Sequence, residues 1–156
     1  MILSLKGQLA EWKYARGSTI LFLKQLTDEE LNKPLPRETF VTIYEQIVEM
    51  AWVQRCFIKA IDTKTLDGMD WATPTFATKD ELLKQMAQFD EKMEQVLEKC
   101  DGTEEIDWFG HSKNINEHIS CIQSHEMMHL GQIIAFCHAL GINIPQDVTK
   151  AMHLTG

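Results

Sequence analysis

The 156-residue chain has no cluster of Lys or Arg, no long apolar run and no closely spaced pair of cysteines. Each absence excludes a class of function. Lys and Arg number 15 against 23 Asp and Glu, a formal charge of −8, whereas a surface for polyanions needs a basic stripe. Nucleic acid and anionic membrane surfaces are therefore not expected partners. No stretch approaches the ~20 apolar residues of a membrane span or the roughly 7–15 of a signal segment. The N-terminal residues are interrupted by Lys6 and Glu11. Cysteines 56, 100, 121 and 137 show no CxxC spacing, so reduced, packed thiols are expected rather than a disulfide framework. A cytoplasmic protein fits these absences. What is present is a 44% hydrophobic composition, enough for one core and one domain over residues 1–156.

Proline and glycine divide the chain into four long segments. Residues 3–26 carry Leu5, Leu9, Trp12, Leu23 and Leu26, with Gly17 as a weak point. Pro34 and Pro36 interrupt the chain next. From Arg37 to Ile61 there is neither Gly nor Pro, and Ile43, Ile47, Met50, Phe57 and Ile61 recur at helical spacing. A loop runs through Pro74. Thr78 and Glu81 then form a capping-box pattern ahead of a helix expected over about 79–99. The stretch 101–110 reads as a loop, and a last helix should extend from about 114 to 140, stopped by Gly141 and Pro145. No sustained period-two alternation supports strands. The expected fold is all-α, a four-helix bundle with a short C-terminal tail. Residues 80–107 hold ten Asp/Glu against three Lys, which reads as a solvated face on the third helix.

The last helix carries the chemistry. Its inward row is expected to pass through Ile115, His118, Ile122, His125, His129, Ile133, Phe136 and Leu140 in steps of three or four. His125 and His129 stand one turn apart, near enough to grip one metal ion. Two buried imidazoles would otherwise need partners for four ring nitrogens. Residues 125–129 also match the HExxH pattern of zinc proteases. The context opposes a protease: position 135 is Ala where a metzincin has its third His, and no Glu follows Glu126. His118 lies about 10 Å along the axis from His125, too far to share an ion. Cys121 is expected to be a packed thiol, and His111, His138 and His153 have no assigned role.

These residues resemble the DinB/YfiT-like family of small metal-dependent four-helix proteins. The likeness is carried by SHEMMHLGQI at 124–133, the Gly141–Pro145 exit, TIYEQIVEMAWVQRCF at 42–57, and DWFG at 107–110. The resemblance implies that His125 and His129 are metal ligands and that the third ligand falls on Glu49, where the family usually has His. Glu45 and Gln46 are neighbouring substitutes. It also implies a divalent transition metal, zinc or nickel, and a hydrolase or low-molecular-weight thiol S-transferase acting on a small molecule, with a thiol as possible cofactor. An open position on the ion would activate water or a thiol. Glu126 is read as a general base or an orienting group, and Gln132 as a holder of a ring nitrogen or a water. The rival reading is a non-catalytic bundle that acts by homodimerisation or association in a stress response. In that reading the tryptophans at 12, 52, 71 and 108 build a pocket or dimer face.

Overall fold

The computed structural model describes residues 1–67 and 75–154; Trp71 and Pro74 lie outside the described residues. Four long helices form the bundle: α1 (Leu3–Gln25), α3 (Ile43–Thr63), α4 (Lys79–Glu98) and α5 (Ile115–Leu140). Two short helices, α2 (Asp28–Leu31) and α6 (Gln146–Ala151), were not anticipated from the sequence. The helix starts are set by side chains that replace missing backbone partners. Thr78 accepts from the Glu81 amide at 3.2 Å, while the Glu81 carboxylate reaches back to the Ala77 amide at 2.9 Å. Asn114 and Glu117 make a full reciprocal box at the head of α5. Gly141 ends α5 with φ 64, the left-handed conformation that glycine adopts without a Cβ clash.

The second long helix begins at Ile43, because Thr42 takes the cap and accepts from the Glu45 amide at 3.0 Å. One expectation is corrected: residues 101–110 are not all loop. Within them β2 (Glu105–Trp108) pairs antiparallel with β3 (His111–Asn114), and β1 (Thr65–Leu66) lies parallel to β2 on its other side. Phe109 and Gly110, both at positive φ, turn the hairpin, the backbone shape that matches strand twist. Strands of two to four residues are too short to give a periodic signal.

The apolar core has two parts. One gathers Leu5, Leu9, Trp12, Phe57, Leu97 and Ile115 near the sheet. The other gathers Phe22, Leu31, Ile47, Met86, Leu130 and Cys137 at the opposite end. Buried polar side chains collect where the two parts meet: Arg16 and Thr19 on α1, Gln46, Glu49 and Gln54 on α3, and Glu126 and His129 on α5. Trp12 and Trp52 are buried in the first part, so neither offers the open face of the association reading. Trp108 is half-buried against that same cluster.

Candidate metal centre

Glu49 on α3 meets His125 and His129 on α5, with one ligand atom from each within 4.8 Å of the others. His125 Nε2 lies 3.3 Å from Glu49 Oε1, and His129 Nε2 lies 3.2 Å from Glu49 Oε2. The two Nε2 atoms are 3.1 Å apart. Metal–ligand distances of about 2.0–2.2 Å at tetrahedral angles place neighbouring donors about 3.3–3.6 Å apart. Each imidazole thus approaches a different oxygen of the Glu49 carboxylate at close to donor–donor spacing, and the three groups converge on a volume that one ion could fill. Glu49 is 7% exposed, although the apolar rhythm of α3 runs through Ile47, Met50 and Phe57.

Two buried oxygens support the fit. Glu49 Oε2 accepts no hydrogen bond despite its approach to His129, and a buried carboxylate oxygen without a donor is costly. Gln46 is fully buried, and its Oε1 also lacks a partner. Its Nε2 sits 2.7 Å from His129 Nδ1 and 2.6 Å from Gln132 Oε1. Turning a glutamine amide by 180° exchanges its acceptor oxygen for its donor nitrogen. With the Gln46 amide turned over, Oε1 accepts from His129 Nδ1–H and leaves the Nε2 lone pair toward Glu49, the arrangement a metal-bound histidine requires. Gln132 would turn with it. Burial holds the His129 imidazole below its ordinary pKa, opposed by the Glu49 carboxylate and reinforced by His125 and Arg37. A neutral ring is the form that binds a metal.

Glu126 is placed differently from the reading as a base. It is 1% exposed and faces α1. Thr19 Oγ1 donates to Oε1 at 2.5 Å, and Arg16 Nη2 lies 3.1 Å from Oε2. Both oxygens are committed to α1. The predicted inward row therefore needs correction: α5 buries one side through His129 and another through Glu126, while His125 is only partly buried. Arg16 also donates to Gln54 Oε1 at 2.8 Å, and Gln54 donates to Asp90 Oδ1 at 2.9 Å. Asp90 is thus an exception to the solvated acidic face, and burial raises its pKa.

His118 is a satisfied core residue. Its Nδ1 accepts from Trp108 Nε1 at 3.0 Å, and its Nε2 lies 3.0 Å from the Phe57 carbonyl, which accepts its proton. Burial pushes its pKa down to about 4. Cys121 is half-buried against the first core part, and His111, His138 and His153 are exposed. Sequence reasoning missed Arg16 and Thr19. The signal was available, because Arg16 interrupts the row Leu5, Leu9, Trp12, Thr19, Leu23 at helical spacing.

An all-α bundle with a Glu/His/His cluster between two of its helices defines the class. A family model of the DinB superfamily matches residues 11–133, and the chain belongs to that superfamily. Among solved structures it is similar to a DinB-like protein from Bacillus cereus ATCC 10987, at 20% identity and a TM-score of 0.71, covering 90% of this chain and 95% of that one. The DinB-like protein YjoA from Bacillus subtilis aligns at 16% identity and a TM-score of 0.68, covering 89% and 96%. No curated protein matches the chain. At these identities the solved structures support the fold alone. Among the described residues no helix is long and apolar enough to cross a membrane.

Proposed function

We propose that the chain is a divalent-metal-dependent enzyme that transfers a low-molecular-weight thiol to a small-molecule acceptor, with zinc or nickel held by Glu49, His125 and His129. The observation that carries this reading is the convergence of the two imidazole Nε2 atoms, 3.1 Å apart, on the two oxygens of one carboxylate, at 3.3 and 3.2 Å. An ion there would supply Lewis acidity that favours the deprotonated form of a thiol. Two neutral imidazoles and one carboxylate leave a divalent ion with one unit of positive charge, which a single thiolate neutralises in a largely buried site. Gln46 fixes the His129 ring, and Glu49 ties α3 to α5 across the site. A thiol is favoured over water because the HExxH carboxylate, Glu126, is bound to Arg16 and Thr19. A thiol with a pKa near 8.5 surrenders its proton more readily than water does.

Isothermal titration of the chelator-treated protein with Zn²⁺ or Ni²⁺ tests the reading. One ion per chain, with a rise in Tm, is expected. Glu49→Ala should weaken binding by more than the ~10–100-fold that loss of an outer partner causes. The metal-free variant should melt no lower than the parent, since a poorly satisfied buried carboxylate is gone. Absence of stoichiometric binding would overturn the proposal, as would an unchanged affinity in Glu49→Ala.

A further inference from the structure

Arg37 lies in the connection between α2 and α3, a segment with unusual local order. Leu35 N donates to the Val41 carbonyl at 2.7 Å, closing the loop at its base, and Val41 N donates to Glu45 Oε2 at 2.7 Å. Pro34 and Pro36 each fix one backbone dihedral. Phe40 adopts φ 49, a left-handed conformation rare for a bulky side chain and frequent at functional sites. The Arg37 guanidinium lies 5.7 Å from the centroid of the Phe40 ring and 6.0 Å from that of Phe136.

Phe136 stands seven residues beyond His129 on α5. That interval is two turns, so the two share a side of the helix, with Gln132 between them. The ring contacts therefore hold the guanidinium over the side of α5 that carries His129 and Gln132. Yet no carboxylate pairs with this guanidinium among the described residues, in a chain with 23 Asp and Glu. Aromatic contacts anchor a guanidinium while its donor fork stays free for an oxyanion.

We infer that Arg37 receives an oxyanionic group, a carboxylate or a phosphate, on the small molecule bound beside Glu49, His125 and His129. The inference rests on the proposed function and specifies its substrate class as an anionic thiol. Planar oxyanions suit the guanidinium fork, and a positive site within an acidic chain selects against neutral analogues.

The test compares ω-mercaptocarboxylates of increasing length with their amides, titrated calorimetrically into the Zn²⁺-loaded protein at ~0.15 M salt, where surface charge is screened. At least one acid should bind about tenfold more tightly than its amide. In Arg37→Gln the acid should fall to the affinity of the amide, with Zn²⁺ affinity and Tm unchanged. Arg37→Lys, which keeps charge but not the fork, should fall between. Inorganic phosphate should displace acids and leave amides bound. Equal affinity for acid and amide across the series overturns the inference, as does a preference that survives Arg37→Gln. If the protein binds no ion, the proposed function fails and takes this inference with it. If ions and amides bind without a preference for acids, only the Arg37 assignment falls.

Discussion

Replacing Glu126 separates a structural carboxylate from a catalytic one. Glu126 and Arg16 are 1% and 2% exposed, and their charged atoms are 3.1 Å apart. Removing one member of a buried pair leaves the other charge uncompensated, at about 3–5 kcal/mol. Arg16 retains Gln54 Oε1 at 2.8 Å and Asp90 at 3.7 Å, so the lower end applies, about 3 kcal/mol for Glu126→Ala. For a chain of this length each kcal/mol moves Tm by about 2–4 °C, giving a fall of ~6–12 °C. Glu126→Gln preserves an acceptor for Thr19 and should lose about half as much. The double variant Arg16→Met with Glu126→Leu removes both charges and should lie within ~1 kcal/mol of the parent. Circular-dichroism melts of the metal-free proteins, paired with Zn²⁺ titrations, read these effects. Zn²⁺ affinity should be unchanged in the double variant. A Glu126→Ala protein that melts like the parent would refute the reasoning. So would a well-folded double variant that has lost its ion site.

Two further outcomes follow from the buried histidines. His118 titrates near 4 in the folded chain, against about 6.5 unfolded. Its folded pKa is depressed, so the stability it contributes is full above pH 6.5 and is lost as pH falls toward 4, by about 3 kcal/mol. His118→Gln lacks this titration, and its stability deficit in urea should shrink by that amount between pH 7 and pH 4; a constant deficit would count against it. Gln46→Leu removes the partner of His129 Nδ1 and should weaken Zn²⁺ binding about 10–100-fold. An affinity within twofold of the parent would show that Gln46 does not orient the ring.

The bundle was legible because its long helices carry apolar residues at helical spacing, and because Gly141 marks the end of α5. His125 and His129 were legible for the same reason, since a fixed four-residue interval on a helix is also a fixed distance. Glu49 was not readable from periodicity. It came from resemblance to a family, and its burial depends on a partner helix 76 residues further along the chain. The Arg16–Glu126 pair was obscured because α5 buries two sides, and a single-stripe reading puts Glu126 in solvent. Arg37 gave no signal, since its surroundings come from a loop and a distant ring. The hairpin was missed because Phe109 and Gly110 make its turn without the usual Asn-Gly or Asp-Gly pair.

The small sheet has a consequence for how the sequence can change in length. Lys64 alone separates α3 from β1, and α5 begins at the residue after β3. The Asp107 amide donates to the Lys64 carbonyl at 2.9 Å, and the Ile115 amide donates to that of Glu104 at 2.9 Å. The strands therefore set the rotational phase of both helices that carry the cluster. One residue inserted at either junction turns a helix by about 100° and advances it by about 1.5 Å. At Lys64 that swings Glu49 away, and between Asn114 and Ile115 it swings both histidines away together. Beyond Gly141, past every member of the cluster, an insertion imposes no such rotation. The two junctions act as indexing stops, where the residue count is fixed.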